Sequence, residues 1–327
     1  MNNAISAASS VSPPLNGAAR RRLARPQVDG NGTAVRRPSR PSRNGGPEAP
    51  SASRLSESSR RARLLGTDGR RRDSLNIDYR QLEIHVDLSA GGERLLCGPL
   101  RSELTIDGRP VTPRSEWKSV CWQSDDDGDY LEIQLWLTDS LRIDRQVFLS
   151  RRNRFALLAD AVVAPGANRV EHRLHLPVAA GTAIDFDAPS RECRVGPARV
   201  FPLWMPQDRV LSVAGDCRDS GGALELSYTV AGGGLYLPVL LDWYPRHRRA
   251  AVEWRSLTVT EPGRVISPAG AAGHRVRIGK EQFLIFRGLA ASHEPRAVLG
   301  QHTRCETLIA RFDSDGDLDP LITTDVE

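Results

Sequence analysis

Aromatic and arginine side chains cluster at two places in the sequence. The stretch FPLWMPQDR places Trp204 in a proline-flanked loop, and LLDWYPRHRR brings Trp243, Tyr244, Arg246 and His247 together behind an apolar run. Aromatic faces stack on sugar rings, and the guanidinium fork binds carboxylates or sulfates. We therefore predict that these five residues bind an acidic polysaccharide. The alternative is that Trp243 belongs to the core and the arginines form a solvated turn.

Two acidic runs raise the question of a cation site. SDDDGD at 124–129 precedes a strand-like segment, and an Asp-Gly pair at such a junction is typical of a hairpin. FDSDGDLDPL spaces three aspartates like the first ligands of a calcium loop, but it has Leu318 where glycine is required and Thr324 where glutamate is required. Both runs are therefore predicted to be solvated turns.

Familiar motifs for catalysis or cofactor binding are absent from the sequence, which contains no GxSxG elbow, Walker loop or HExxH. His172 and His175 in EHRLH would point to opposite faces of a strand, so we do not expect them to share a metal ion. The five cysteines include no CxxC pair, which favours buried reduced thiols over a zinc site or a disulfide framework. We predict no metal and no cofactor.

The elements that must position these residues are strands, because apolar residues recur at every second position from about residue 75 onward. Clear cases are QLEIHVDL, YLEIQLWL, LRIDRQVFL and FALLADAVV. Further candidates bounded by turn residues are RVEHRLHLPV, ALELSYTV, GLYLPVLLDWY, AVEWRSLTVT, HRVRIGKEQFLIFRGL and ETLIARF. No stretch has a convincing helical period. The pattern predicts an all-β fold, a large antiparallel β-sandwich of two packed sheets.

The N-terminal segment has a different composition. Residues 1–72 hold 15 arginines against four acids, a net charge of +11 in a chain whose total is +5. A segment so poor in apolar residues cannot bury enough surface to offset the entropy of ordering it. We predict a disordered tail over 1–72 and the sandwich domain over 73–327. The RRR runs at 20–22 and 70–72 could contact nucleic acid non-specifically, although a solvated tail without a partner is the preferred interpretation.

No stretch of the sequence is long and apolar enough to span a membrane, and no signal segment is visible. We therefore predict no membrane span and favour a cytoplasmic location. The oligomeric state and the identity of the ligand stay open at this stage.

Two segments, DYLEIQLWLTDSLRIDRQVFLSRRNRFALLADAV (129–162) and RVEHRLHLP (169–177), resemble the C-terminal β-sandwich of heparinase II/III-type polysaccharide lyases. The shared pattern is an Arg-led strand (145–149), a turn (151–154), a strand ending in an apolar-Asp pair (155–160) and a His-containing strand (171–176). The resemblance implies a sandwich that binds glycans or packs against a partner. Those lyases also carry a helical toroid that supplies most of the catalytic site, and this chain shows no counterpart, so no catalytic residue is transferred.

Three functions remain open on these grounds. The preferred one is a non-catalytic β-sandwich module that binds an acidic polysaccharide or a protein partner. The alternative is a carbohydrate-active enzyme, a polysaccharide lyase or a mutarotase-like epimerase acting on an acidic sugar. The epimerase would need a histidine and a carboxylate facing each other across a groove. A flat sandwich without a groove would favour a purely structural protein.

Overall fold

The computed structural model describes residues 52–66, 73–187, 190–208, 210 and 214–325. Contacts divide the chain into residues 1–49 and 50–327, and every described residue belongs to the second unit. Its strands are β1 Arg54–Ser56, β2 Arg61–Leu65, β3 Ser74–Asp78, β4 Ile84–Ala90, β5 Glu93–Ile106, β6 Arg109–Val111, β7 Lys118–Ser124, β8 Gly128–Trp136, β9 Arg142–Ser150, β10 Phe155–Val163, β11 Arg169–Pro177, β12 Ile184–Phe186, β13 Cys193–Val195, β14 Ala198–Pro202, β15 Gly215–Asp219, β16 Ala223–Ala231, β17 Gly234–Asp242, β18 Val252–Leu257, β19 Val259–Glu261, β20 Arg264–Ile266, β21 Ala271–Ile278, β22 Glu281–Gly288, β23 Arg296–Val298, β24 Gln301–Thr303, β25 Thr307–Phe312 and β26 Leu318–Thr324. The one helical element of the described chain is a 3-10 turn at Pro245–His247.

The strands form four sheets, and all of their pairings are antiparallel. A nine-stranded sheet has the order β1-β2-β3-β4-β5-β11-β16-β15, with β6 paired to β5. An eight-stranded sheet has the order β12-β13-β14-β17-β10-β9-β8-β7. Five- and four-stranded sheets follow, with orders β18-β21-β22-β25-β26 and β20-β19-β23-β24.

Three apolar cores hold the sheets together. The first packs the nine-stranded against the eight-stranded sheet and includes Leu88, Ile133 and Leu176. The second joins the other face of the eight-stranded sheet to the five-stranded sheet, with Phe148 and Phe283 among its members. The third lies between the five- and four-stranded sheets. The eight-stranded sheet is thus buried on both faces, which explains why β10 and β17 read as nearly continuous apolar runs.

The predicted all-β antiparallel fold is confirmed, and its two large sheets are the nine- and eight-stranded ones. The two smaller sheets were not separated from them in the sequence. An alternating sequence pattern identifies a strand with one buried face. Both faces of β8 are buried, because Leu131 packs in the first core and Tyr130 in the second, so the pattern gave no sign of the further sheets.

The nine-stranded sheet begins inside the segment predicted to be a disordered tail. Strands β1 and β2 lie at residues 54–65, and β2 pairs with β3 from Arg61 opposite Asp78 to Leu65 opposite Ser74. In β2, Ala62 and Leu64 are buried while Arg61 and Arg63 are exposed. The sheet therefore includes residues 54–65, which were predicted to belong to the tail. The alternation of β2 is only five residues long, and its exposed arginines resemble the rest of the arginine-rich segment. Residues 1–51 and 67–72 of the predicted tail lie outside the described residues.

Both acidic runs form hairpin turns, as predicted, but Asp129 at the end of the first run is buried and not solvated. Between β7 and β8, one carboxylate oxygen of Asp125 accepts hydrogen bonds from the backbone N–H groups of Asp127 (2.9 Å) and Gly128 (3.2 Å). Between β25 and β26, Asp313 accepts from the N–H groups of Asp315 and Asp317, each at 2.9 Å. The leading aspartate of each run stabilises its own turn in the usual manner of this residue.

Candidate functional site

A groove of about 1100 Å³ opens on the outer face of the eight-stranded sheet. One wall is formed by β7, β8 and β9, and the other by β22 and the segment that leads into β25. The charged and aromatic residues among its lining are Glu132, Trp136, Arg142, Asp144, Arg287, Glu294, Arg296, Arg304, Glu306 and Asp325. A concave site of this volume, with a few convergent polar groups, is typical of small-molecule and cofactor sites.

The alternation of β8 explains why polar residues reach this groove. Leu131, Ile133 and Leu135 point into the first core, so Glu132 and Gln134 point to the opposite face. On the neighbouring strand Asp144 lies opposite Gln134 and shares that face. The outward direction of these β8 residues follows from the sequence pattern. The sequence did not show that another sheet would wall them in.

Arg287, on β22, stands at the centre of the groove floor and is 1% exposed. Its Nη2 lies 2.9 Å from Glu132 Oε1, 2.9 Å from Asp144 Oδ2 and 3.2 Å from Glu306 Oε1. Its Nη1 donates to the Thr307 hydroxyl at 2.6 Å. Burial opposes the charge of this guanidinium, but the carboxylates, Glu132 above all, outweigh burial and raise the Arg287 pKa. Arg142 adds a second cation, 3.1 Å from Asp144 and 3.7 Å from Glu306, so two arginines face a cluster of three acids.

A chain of hydrogen bonds supports the floor from the second core. The Tyr130 hydroxyl donates to Glu132, and Gln146 Nε2 donates to that hydroxyl at 2.9 Å and to Thr307 Oγ1 at 2.8 Å. The Tyr236 hydroxyl donates to Gln146 Oε1 at 2.8 Å. Buried polar networks that are satisfied in this way rigidify their surroundings. The orientation of Glu132 is therefore set by groups on three different strands.

The solvent side of the groove carries an indole beside an arginine. The Arg142 guanidinium lies 5.6 Å from the centre of the Trp136 ring, within the range of a cation–π contact. Trp136 Nε1 donates to Gln134 Oε1 at 2.7 Å, and Gln134 Nε2 donates to Asp144 Oδ1 at 2.9 Å. Trp136, Gln134 and Arg142 are all half-buried. They combine an aromatic surface with polar groups in positions that a ligand can reach.

Glu306 is the carboxylate of the cluster that solvent reaches, with a quarter of its side chain exposed. Burial raises its pKa, the charges of Glu132 and Asp144 add to that effect, and Arg287 opposes it. A carboxyl group in such a position can exchange a proton with a bound molecule. No histidine lines the groove within the part of the chain that the structure describes, so the histidine–carboxylate pair expected of an epimerase is not found there.

The residues predicted to bind lie elsewhere, and three of the five are buried. Trp204 and Trp243 are 2% and 4% exposed and belong to the first core, and Trp243 Nε1 donates to Asp73 Oδ2 at 2.8 Å. The alternative, that Trp243 is a core residue, is therefore the one the structure shows. These indoles were predicted as sugar platforms because both stand next to turns, yet their ring faces are enclosed between the two large sheets.

The other three predicted residues stay together around the 3-10 turn. Buried His247 places Nδ1 3.0 Å from Asp242 Oδ1 and contacts the Tyr244 ring edge-on, at 4.9 Å between ring centres. Tyr244 is half-buried, and Arg246 is exposed with its guanidinium 5.8 Å from the tyrosine ring. Tyr244 and Arg246 can meet a ligand at the surface, and their binding role stays a prediction.

A second buried charge cluster lies inside the sandwich. Arg145 donates to both carboxylate oxygens of Asp160 at 2.7 Å, and His172 Nε2 lies 3.1 Å from Asp160 Oδ2. Although burial opposes ionisation, Arg145 and His172 lower the Asp160 pKa. All three side chains are at most 2% exposed, so the cluster ties the two large sheets together and is closed to ligands. His175 points to the opposite face, as predicted, and is half-buried.

Two further observations concern ions and membranes. Among the residues that the structure describes, no three His, Cys, Asp or Glu side chains are grouped so as to hold a metal ion. Over the same residues, no helix has the length and apolar character needed to cross a bilayer.

Comparisons with known proteins give similarity of fold only. No protein-family model matches the chain, and a search of curated proteins found no match. Among solved structures, the chain is similar to the heparan sulfate lyase HepC from Pedobacter heparinus, with 12% identity, a TM-score of 0.49 and coverage of 75% of this chain and 44% of that one. A heparinase III structure matches with 9% identity, a TM-score of 0.47 and coverage of 73% and 43%.

The chain thus spans less than half the length of the structures it matches. The matched proteins are of the class that segments 129–162 and 169–177 resemble, and the likeness concerns the fold alone.

Proposed function

We propose that residues 50–327 form a non-catalytic module that binds an acidic polysaccharide in the groove beside Trp136. The observation that carries this proposal is the half-buried Trp136–Arg142 pair at the mouth of a groove of about 1100 Å³. A pyranose ring can pack on the accessible part of the indole, and the neighbouring amide of Gln134 offers hydrogen bonds to hydroxyl groups. A protein partner is the other ligand that such a groove could take.

The arginines of the groove indicate that an acidic ligand would bind at its exposed rim, near Arg304, and not at its buried floor, near Arg287. Arg287 is enclosed by Glu132, Asp144 and Glu306, so it has little capacity left for an external anion. Arg304, by contrast, is exposed, lines the same groove and forms no ion pair with the described residues. A guanidinium in this state binds carboxylate or sulfate through paired hydrogen bonds.

The experiment follows the full chain through gels that contain acidic polysaccharides (heparan sulfate, polygalacturonate or alginate) or neutral ones. We expect an acidic polysaccharide to retard migration. Trp136→Ala should weaken that binding about tenfold, the amount expected for the loss of one aromatic contact. Arg304→Gln should weaken binding to the acidic polymers and leave any binding of neutral ones unchanged.

Tyr244→Ala and Arg246→Gln are the matched controls, because they remove an aromatic ring and an arginine from the other surface cluster. They should leave retention unchanged. If they abolish retention while Trp136→Ala does not, the binding site is the cluster predicted from the sequence and not the groove. If no polysaccharide retards the chain, a protein partner becomes the better candidate.

Catalysis is the second candidate, and one feature favours it: Glu306 is a partly exposed carboxyl whose pKa burial raises, next to two further carboxylates. Such a group can act as a general acid or base. Ultraviolet absorbance of an unsaturated uronate product, followed in the same samples, tests for a lyase. A rise in absorbance that Glu306→Gln abolishes would show that the protein is a lyase and would overturn the binding proposal. Retarded migration without a change in absorbance would support the non-catalytic module.

A further inference from the structure

Two cysteines lie at facing edges of the two large sheets. Cys193 is on β13, near one end of the eight-stranded sheet, and Cys217 is on β15, the last strand of the nine-stranded sheet. Cys193 is fully buried in the first core, and half-buried Cys217 packs against that same core. The two cysteines therefore belong to different sheets, and the packing of one sheet on the other brings them to the same core.

Neighbouring contacts support this placement independently. Trp204 follows β14, the strand paired with β13, and its ring centre lies 6.3 Å from that of Tyr228 on β16. A Cβ added at Gly215, the first residue of β15, would lie 3.0 Å from Trp204 Nε1. The β13–β14 edge therefore rests on the β15–β16 edge. In keeping with this placement, the neighbouring Cys217 thiol raises the pKa of Cys193.

We propose that Cys193 and Cys217 form a reversible disulfide that locks these two sheet edges together under oxidising conditions. In the reduced protein both side chains act as small hydrophobes. The bridge closes residues 193–217 into a loop, so it restricts the unfolded chain and joins two sheets that otherwise meet here only through side-chain packing.

The reaction is a thiol–disulfide exchange with a small-molecule disulfide, here glutathione disulfide. Cys217 is the half-buried thiol, so its thiolate attacks one glutathione sulfur and releases the first glutathione thiolate. Cys193, as thiolate, then attacks the Cys217 sulfur of the mixed disulfide and releases the second. Two cysteine thiols are oxidised to one disulfide, and one glutathione disulfide is reduced to two glutathione thiols. The contact with Cys217 and burial raise the Cys193 pKa, so the second step should be the slow one.

The test treats the folded full chain with glutathione disulfide, blocks remaining thiols and digests the product with trypsin without reduction. Cleavage at arginine places Cys193 in the peptide 192–194 and Cys217 in the peptide 210–218. We expect these two peptides to appear as one disulfide-linked species. We also expect the oxidised chain to melt about 5–10 °C higher than the reduced chain, and a thiol reductant to reverse the shift.

Cys193→Ser and Cys217→Ser should each abolish the shift, whereas Cys97→Ser, which changes another half-buried cysteine, should retain it. Circular dichroism of every variant checks that it folds, and the peptide analysis of the unaltered chain does not depend on any variant. The proposal is overturned if both thiols stay free in the folded chain, if Cys193 or Cys217 joins another cysteine instead, or if the bridge forms only in urea.

Discussion

Among single residues, Arg287 has the largest number of ion-pair contacts in the groove, because its guanidinium contacts three carboxylates. Replacing Arg287 by methionine leaves Glu132 buried without its cation and leaves Asp144 with Arg142 alone, and removing one member of a buried ion pair costs about 3–5 kcal/mol. We expect Arg287→Met to lower the free energy of unfolding by that amount in urea titrations.

Arg246→Met is the control, since that arginine is exposed and should change the free energy of unfolding by less than about 0.5 kcal/mol. Equal effects of the two substitutions would show that the carboxylates of the groove floor do not need Arg287.

The buried histidine His274 should make stability depend on pH. It is 4% exposed, its Nδ1 lies 3.3 Å from the Ser256 hydroxyl, and its ring faces Tyr236. Burial lowers its pKa from 6.5 to about 4, so between these values the unfolded chain binds more protons than the folded one. The stability due to neutral His274 is therefore present above pH 6.5 and lost as the pH falls towards 4, by about 3 kcal/mol in all.

Urea titrations at pH 7.5 and pH 4.5 measure this loss. His274→Gln should reduce the difference between the two pH values, whereas His302→Gln, at an exposed position, should not. An unchanged difference in the His274 variant would assign the acid sensitivity to other groups.

Which aromatic residues reach solvent is a matter of tertiary packing, and here sequence reasoning has a physical limit. Trp204 and Trp136 both have apolar neighbours in the sequence and Trp243 has polar ones, yet the sheets enclose Trp204 and Trp243 and leave Trp136 half-buried. The alternation of β8 was enough to place Glu132, Gln134 and Trp136 on one face. Arg287, on β22, and Glu306, just before β25, could not be assigned to that face, because they lie more than 140 residues later in the chain.

At the element scale, Asp129 connects the first two strands to the eight-stranded sheet. One of its oxygens accepts from the backbone N–H of Leu65 at 2.7 Å and from the Ser53 hydroxyl. The other accepts from Ser124 at 2.6 Å and from Arg151 at 2.7 Å. The last acidic residue of the SDDDGD run thus has a structural role that its position next to a turn did not indicate.

Asp129→Ala should therefore loosen β2 more than the rest of the sheet. Hydrogen bonds to a charged group contribute about 1.5–3 kcal/mol, so we expect amide hydrogen exchange over residues 61–65 to accelerate about tenfold or more. Asp126→Ala changes an exposed aspartate of the same turn and should leave that exchange unchanged. Uniform acceleration across the whole nine-stranded sheet would instead assign Asp129 to global stability.

The sequence pattern predicted the longer strands of the sandwich but missed β2, whose exposed positions are arginines. β4 and β11 alternate between buried and more exposed positions, as predicted, and β8 and β9 are strands as predicted but are buried on both faces. β2 has the same alternation over five residues, but the surrounding arginine-rich composition assigned it to the tail. The sheets themselves could not be separated, because local periodicity carries no information on which strands pair across long connections such as that from β5 to β11.

At the scale of the whole molecule, the eight-stranded sheet is the middle layer on which the others depend. Its outer face contributes Tyr130, Phe148, Phe155 and Leu157 to the second core, and the five-stranded sheet supplies the residues that cover them. A chain ending at residue 250 would expose this apolar face, and exposed patches of that kind lead to association. By contrast, residues 50–327 retain all three cores.

We therefore expect residues 50–327 to fold into a monodisperse species with a near-ultraviolet circular dichroism signal, and residues 50–250 to aggregate or lose that signal. Size-exclusion chromatography and the spectra decide between the two. The shorter fragment also lacks Arg287, Arg304 and Glu306, one wall of the groove, so it should not be retained by polysaccharide even if it stays in solution. A folded, monomeric 50–250 fragment that still binds would place both the stability and the ligand site in the two large sheets alone.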